Sequence, residues 1–191
     1  MKTITELSAT TLAPSCYESM FSGCVSLTST PKLPVIILAE SCYKEMFKGC
    51  VSLITAPELP AETLVESCYE GMFMGCSGLI EAPELPAKTL VTSCYVNMFN
   101  GCSSLNKITV GFTKWNINAE AELENYTSNE DMHQATYNWL NEVAQYGKFK
   151  ALRLGQLVSN REEIKRGVSF IPTGWEVLNI HSGSYMTTYN N

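Results

Sequence analysis

The stretch SCYEGMFMGC at residues 67–76 decides the fold of this chain, because it recurs three more times at a constant spacing. The other copies are SCYESMFSGC at 15–24, SCYKEMFKGC at 41–50 and SCYVNMFNGC at 93–102. A period of about 26 residues is typical of repeat proteins in which every unit is one supersecondary motif. A leucine also follows each copy, at Leu27, Leu53, Leu79 and Leu105.

The first half of each unit predicts a short helix. Ser15 occupies an N-cap position, Glu18 completes a capping box with it, and Gly23 suits the left-handed residue that ends a helix. Such a helix has about two turns and carries one apolar face at positions i, i+3, i+4 and i+7. In the first unit that face consists of Tyr17, Met20, Phe21 and Cys24.

The second half of each unit predicts an extended segment, which we call the rung of that unit. Leucines are spaced along residues 27–38, Pro31 and Pro34 interrupt them, and the next two units repeat the pattern. Because proline has no N–H to donate to a sheet, we expect short parallel strands mixed with polyproline-like rungs.

Stacking of the units is expected on energetic grounds. Ordering the backbone costs roughly 1 to 2 kcal/mol per residue, whereas burying five large apolar side chains contributes on the order of 10 kcal/mol per unit. One unit therefore does not fold alone. Residues 1–108 are predicted to form an array of four units whose apolar ends need covering.

The C-terminal third differs in composition and is predicted to cap the array. Residues 109–131 are interpreted as a linker, 132–180 as an α+β capping segment and 181–191 as a flexible tail. Within the cap, Trp139 and the apolar residues spaced around it predict a helix of roughly residues 129–146. The later elements predicted are a strand at 149–154, a short helix from Asn160 to Gly167 and a strand at 171–177.

The eight cysteines are expected to form two columns when the units stack. Their spacing contains no Cys-x-x-Cys pair, which argues against a metal site. Rungs about 4.8 Å apart would bring column neighbours into disulfide range, but their Cβ vectors would run parallel. Buried free thiols are therefore favoured over disulfides and over metal ligation. The columns are Cys16, Cys42, Cys68 and Cys94, and Cys24, Cys50, Cys76 and Cys102.

The aromatic column and the scarcity of catalytic residue types favour a role without catalysis. Tyr17 and its three equivalents could form a stacking platform for sugars, but repetition at this position favours packing. The repeats contain neither Asp nor His, and His133 and His181 lie in the cap and the tail. No nucleophile with a base and an orienting group can be assembled, so we expect neither an enzyme nor a cofactor.

The outward positions beside the rung leucines form the candidate binding face. The first column differs in all three units and the second changes from Lys to Glu after the first unit. The exposed face of a repeat array is where such proteins hold a partner. Simple solvation is the commoner role of exposed charge and stays open as the alternative. The two columns are Ser29, Thr55 and Glu81, and Lys32, Glu58 and Glu84.

Charge and hydropathy exclude two classes of partner. Thirteen Lys and Arg against nineteen Asp and Glu give a net charge of −6, and no basic stripe is present to neutralise phosphates. No apolar run reaches the roughly 18 residues of a membrane span, and no targeting signal is apparent. We therefore expect neither nucleic-acid binding nor membrane insertion.

The repeat resembles the BspA-type leucine-rich repeats of bacterial surface proteins. The resemblance rests on a Phe-x-x-Cys-x-x-Leu core, here Phe21 to Leu27 and its three copies, and covers residues 1 to about 108. It implies a leucine-rich-repeat solenoid with short helices, and the closing Ile-Pro-x-Gly-Trp at residues 171–175 is similar to the segment that often ends such arrays. Because this unit is unusually rich in Pro and Cys, no ligand face is carried over by position.

The resemblance implies a cell-surface or secreted location and an adhesion-type role. On this basis the expected function is a binding scaffold that presents a repeat face to a protein or glycan partner. The alternative is a purely structural spacer or assembly module without a specific ligand, including one encoded by a phage.

Overall fold

Three short parallel strands form one end of the fold. In the computed structural model, which describes residues 7, 9, 11–33, 37–112, 135–152, 167 and 170–179, these are β1 (Lys107–Val110), β2 (Lys148–Ala151) and β3 (Glu176–Asn179). Their order is β1-β2-β3, with Ile108 opposite Phe149 and Phe149 opposite Val177. Ile108 and Phe149 are buried, so one face of this sheet belongs to the core.

The line of strand pairing continues through the earlier units as single bridges. Thr55 pairs with Glu81 and Glu81 with Lys107, both in parallel and each with the equivalent position of the following unit. The prolines that follow, Pro57 and Pro83, have no N–H to extend these bridges into a ladder. The rungs are therefore interrupted in the way the proline spacing predicts.

Residues 15–24 and their repeats are chains of tight turns, and the helices predicted here are not formed. Ser15, Ser19 and Gly23 have φ values of 54°, 56° and 73°, in the left-handed region that a right-handed helix cannot contain. Between them, Glu18 N donates to Ser15 O at 3.1 Å and Ser22 N to Ser19 O at 3.0 Å, as in four-residue turns. We call these segments ribbons 1 to 4: 15–24, 41–50, 67–76 and 93–102.

The alternate backbone N–H groups of each ribbon join it to the next. Tyr17 N donates to the carbonyl of Cys42 at 3.0 Å, and Gly23 N donates to that of Lys48 at 2.7 Å. Ribbons 2 and 3 repeat this set of bonds with their successors. Along a ribbon, every second backbone N–H thus closes a turn, and the N–H groups between them bond to carbonyls of the next unit. The backbone N–H groups of the ribbon are therefore hydrogen-bonded although it is neither a helix nor a sheet strand.

The apolar side chains of the ribbons stack into columns. Phe47 and Phe73 have ring centroids 5.7 Å apart at an interplanar angle of 9°, and Tyr43 and Tyr69 lie 5.9 Å apart at 4°. The burial expected of this face is confirmed in ribbons 2 to 4, where Tyr, Met, Phe and both Cys are at most 2% exposed. These columns form the core of the molecule.

The helix predicted at residues 129–146 is replaced by a fifth ribbon over residues 135–142. Tyr95 N donates to Ala135 O at 2.8 Å and Phe99 N to Trp139 O at 3.0 Å, as ribbon 3 does with ribbon 4. Asn138 and Glu142 have φ values of 51° and 54°. Ribbon 5 thus takes the next place in the stack, although it follows ribbon 4 at a longer interval than the repeat period. Residues 129–134 lie outside the described residues.

Two further boundaries differ from the predictions. The predicted linker at 109–131 begins inside β1, and Phe112 is fully buried; 113–131 lie outside the described residues. Of the two predicted cap strands, β2 overlaps the first and β3 begins at the end of the second. The short helix predicted from Asn160 to Gly167 lies outside the described residues except for Gly167, and the tail at 181–191 lies wholly outside them.

Two tryptophans close the C-terminal end of the stack. Trp139 Nε1 donates to Phe170 O at 2.9 Å, and Trp175 Nε1 donates to Ala144 O at 2.7 Å. Both side chains are at most 2% exposed. Ribbon 5 and the segment at 170–175 are therefore fixed to each other by buried hydrogen bonds as well as by packing.

Candidate binding groove

A cavity of about 450 Å³ lies between the rungs of the first two units. We call it the proline groove, because Pro31, Pro57 and Pro60 line it. Proline fixes φ and cannot donate a hydrogen bond, so these two rungs cannot close on each other as a continuous ladder. The remaining lining residues are Ser29, Thr30, Lys32, Leu33, Thr55, Ala56 and Glu58.

The groove brings together four of the six residues of the predicted binding face. Ser29 and Thr55 come from one column and Lys32 and Glu58 from the other, and all four are exposed. These four residues place one cation, one anion and two hydroxyl groups beside the three prolines that also line the groove. This combination can hydrogen-bond a polar backbone and pack against apolar side chains at the same time.

The other two predicted residues lie on the third unit, outside the groove. Glu81 forms an ion pair with Lys107, and Glu84 is exposed. Because Glu81 and Lys107 are about half exposed, their pairing is worth less than about 1 kcal/mol. The predicted face is thus divided into a concave part on units 1 and 2 and an exposed acidic part on unit 3.

The groove also contains residues that the sequence interpretation did not select. Thr30 and the three prolines were assigned only to the rungs. The repeated proline spacing was the available signal, since two proline-interrupted rungs placed side by side leave backbone groups unpaired and space between them.

Six of the eight cysteines are buried, and none of the eight is in a disulfide. Cys50 donates its S–H to Phe21 O at 3.1 Å, and Cys76 and Cys102 make the equivalent contacts with Phe47 and Phe73 at 3.0 Å. Burial raises the pKa of Cys42 and Cys50 to about 11 and that of Cys76 and Cys94 to about 12. Such thiols stay protonated at neutral pH and are poor nucleophiles.

The tyrosine column is core rather than a sugar platform over most of its length. Tyr43, Tyr69 and Tyr95 are at most 2% exposed, while Tyr17 is half-buried. Burial raises the pKa of all three core tyrosines, and the hydroxyl of Tyr43 has no hydrogen-bond partner among the described residues. The packing interpretation therefore holds for three of the four rings.

The described residues contain neither His nor Asp, since His133, His181 and Asp131 lie outside them. Among these described parts of the chain, no group of three His, Cys, Asp or Glu side chains is placed to hold a metal ion. The same parts contain no helix long and apolar enough to cross a bilayer.

Comparison with other proteins adds no relative: the chain matches no known protein family, no characterised protein sequence and no solved structure.

Proposed function

We propose that the protein is a non-enzymatic binding scaffold, built as a leucine-rich-repeat type array, that holds a segment of a partner protein in the proline groove. The observation that carries this proposal is the cavity of about 450 Å³ lined by Ser29, Lys32, Thr55 and Glu58. Ser29 and Thr55 differ from each other and from Glu81 of the third unit, and Lys32 is replaced by Glu in the next two units, whereas the core residues of the ribbons are repeated. Variable side chains on a repeated frame are what a repeat protein uses to select a partner.

A protein partner is favoured over a glycan by the chemistry of the lining. Sugar sites commonly use exposed aromatic faces, and no aromatic residue is among the described residues that line the groove. A Lys and a Glu beside three prolines instead suit an extended peptide that carries charged side chains and presents its backbone to Ser29 and Thr55. A bacterial-surface location belongs to the same proposal and is supported by the Phe-x-x-Cys-x-x-Leu resemblance.

The positions of the Phe-x-x-Cys-x-x-Leu residues support the part of the proposal that describes a repeat array. Phe47, Cys50 and Leu53 are fully buried, and so are their equivalents in the next two units. Each unit contributes one layer, and each layer bonds to the next through its ribbon. This is the nearest-neighbour arrangement in which repeat proteins are stable.

A structural spacer is the second candidate, because some exposed charges pair between units. Lys44 Nζ lies 3.0 Å from Glu70 Oε1, one unit further on, and Glu81 pairs with Lys107 in the same way. Charges used in this manner are directed along the stack rather than toward a ligand.

A peptide-display library and a glycan array, both screened with the whole chain, test the proposal. Peptide ligands should lose at least about tenfold in affinity when Lys32→Glu and Glu58→Lys are combined, because the charges facing the ligand are reversed. Glu84→Lys is the matched control: it is an exposed charge change outside the groove and should leave binding intact.

Three results would count against the proposal. Ligands confined to the glycan array would replace the protein partner with a carbohydrate. Peptide ligands that are insensitive to the groove variants would move the site elsewhere. Absence of binding in both screens, with the fold intact by circular dichroism, would favour the spacer.

A further inference from the structure

Within the part of the chain that the structure describes, ribbon 1 has an open backbone edge whose outward groups are acceptors. The carbonyl groups of Glu40, Cys42, Lys44, Met46 and Lys48 in and beside ribbon 2 each accept an N–H from ribbon 1. Their equivalents one unit earlier accept no backbone hydrogen bond from a neighbouring ribbon among the described residues. These five acceptors at a two-residue spacing are Pro14, Cys16, Glu18, Met20 and Ser22.

The side chains at this edge are the ends of the core columns. Met20 is 49% exposed, whereas Met46, Met72 and Met98 are fully buried. Tyr17 and Phe21 are half-buried, with one ring face on Tyr43 and Phe47 at 5.8 and 5.5 Å. The edge therefore offers an apolar surface and a matching row of hydrogen-bond acceptors.

A second copy of this chain does not satisfy this edge. Two ribbon 1 edges placed face to face would set carbonyl against carbonyl, and acceptors cannot bond each other. The opposite end of a second copy is closed by the 170–175 segment, which buries Trp139 and Trp175. The required donor is therefore a ribbon whose N–H side is free.

Charge along the outer side of the ribbons specifies the donor further. Glu18, Lys44 and Glu70 occupy one column, and Lys44 pairs with Glu70 at 3.0 Å. If negative and positive side chains continue to alternate in this column, the residue of the incoming ribbon beside Glu18 is a cation. The core side of the incoming ribbon must also supply rings or thioethers to cover Tyr17, Met20 and Phe21.

We propose that the open edge of ribbon 1 binds a ribbon of the pattern Cys-Tyr-Lys-x-Met-Phe-x-x-Cys carried by another polypeptide. The incoming ribbon lies parallel to ribbon 1 and donates the N–H of every second residue to the five carbonyls of this edge. The structure of the ribbon 1 and ribbon 2 contact is the template for this complex, and the site is distinct from the proline groove.

A labelled peptide with the sequence of residues 38–53, titrated into the full chain under reducing conditions, tests the proposal by fluorescence anisotropy. Saturable binding is expected. Backbone N-methylation of the peptide at the positions of Tyr43, Glu45 and Phe47 should weaken it at least about tenfold, because these N–H groups are the donors. Met20→Glu in the protein should do the same, while Ile80→Glu, half exposed on the third unit, should have no effect.

A charge swap separates specific pairing from adhesion to an apolar surface. A peptide with Lys44→Glu should bind less well to the natural chain, and Glu18→Lys in the protein should restore its binding. Absence of saturation up to about 1 mM peptide overturns the proposal, as does binding that ignores N-methylation. Light scattering that shows a dimer dissolved by Met20→Glu would overturn it too, because a second copy would then occupy the edge.

Discussion

At the scale of single residues, the repeated cysteines act as small hydrophobic groups with one directed hydrogen bond. The Phe21 carbonyl accepts both the N–H of Cys24 at 3.1 Å and the S–H of Cys50 at 3.1 Å. The second cysteine of a unit therefore links to the backbone of the unit before it. A thiol suits this position because it fills apolar space and still donates weakly.

Thiol reactivity should differ sharply along the chain. Cys16 is exposed and should react with a maleimide in the folded protein, whereas the six buried thiols should react only after unfolding. Mass spectrometry of the labelled chain at neutral pH, with and without urea, gives the count. Rapid labelling of Cys76 or Cys102 in the folded state would contradict the packing described here.

Stability should fall at alkaline pH. The folded-state pKa of Cys42 and Cys50 is about 11 against an ordinary value of 9.0, so between these values the unfolded chain has lost protons that the folded chain keeps. Since the unfolded state then binds fewer protons, the free energy of unfolding decreases as pH rises above about 9. Below that pH these thiols contribute no pH dependence.

Urea unfolding between about pH 7 and pH 11 checks this expectation. The midpoint should be level to about pH 8.5 and then decline. A variant with Cys50, Cys76 and Cys102 all changed to Ala should decline less steeply. The buried cysteines that remain, Cys42, Cys68 and Cys94, and the buried tyrosines also have a raised pKa and would account for the remaining slope.

At the scale of the element, the ribbon explains why the helix prediction was wrong. Apolar residues at i, i+3, i+4 and i+7 fit a helix, but they equally fit adjacent pairs repeated every four residues, such as Cys16 with Tyr17 and Met20 with Phe21. The discriminating signal was the step of four between Ser15, Ser19 and Gly23, the left-handed positions. At the middle position Ser19 and Glu45 do not favour that conformation, whereas Gly71 and Asn97 do, so the signal was divided between the units.

The difference in stability between Ser19→Gly and Ser19→Ala should have opposite signs in a ribbon and in a helix. The φ of Ser19 is 56° and the residue is exposed, so Ser19→Gly should be more stable than Ser19→Ala by about 1 kcal/mol, because alanine is strained in the left-handed region. In a helix the order would be reversed by a similar amount. Thermal unfolding of the two variants decides, and an alanine variant that is the more stable would rule out the turn geometry at this site.

The fifth ribbon and the groove show where sequence patterns stop being sufficient. Ribbon 5 has Thr136 and Leu140 where ribbon 4 has Tyr95 and Phe99, and its longer interval from ribbon 4 hides the period. Its place is set by packing against ribbon 4. The sequence predicted the two polar columns as a candidate binding face, but the position of the groove between units 1 and 2 depends on the space between two particular rungs.

At the scale of the whole molecule, the two ends of the stack are unequal. Trp139 is fully buried at one end, and Met20 is half exposed at the other. Trp139→Ala should therefore cost about 3 to 5 kcal/mol of unfolding free energy. Met20→Ala should change it by no more than about 0.5 kcal/mol.

Urea titration of both variants measures this difference, and amide hydrogen exchange supplies an independent view. The N–H of Phe21 should exchange faster than that of Phe73, although both donate to the next ribbon at 2.9 Å, because Phe21 is partly exposed and Phe73 is fully buried. Equal losses of stability or equal protection factors would show that the ends are equivalent.

Residues bonded between successive ribbons, from ribbon 1 to ribbon 4, are always the same number of positions apart in the sequence. This regularity determines how such a chain can change in length. The ribbons of these units are joined by the same backbone bonds at every junction, so duplicating or deleting one whole unit preserves the pattern of ribbon-to-ribbon bonds. The longer path from ribbon 4 to ribbon 5 shows that chain can also be inserted between units without breaking the columns. The gene can thus lengthen or shorten the protein by whole units. Each unit that is added or removed then changes the distance between the ribbon 1 edge and the cap by one layer of the stack.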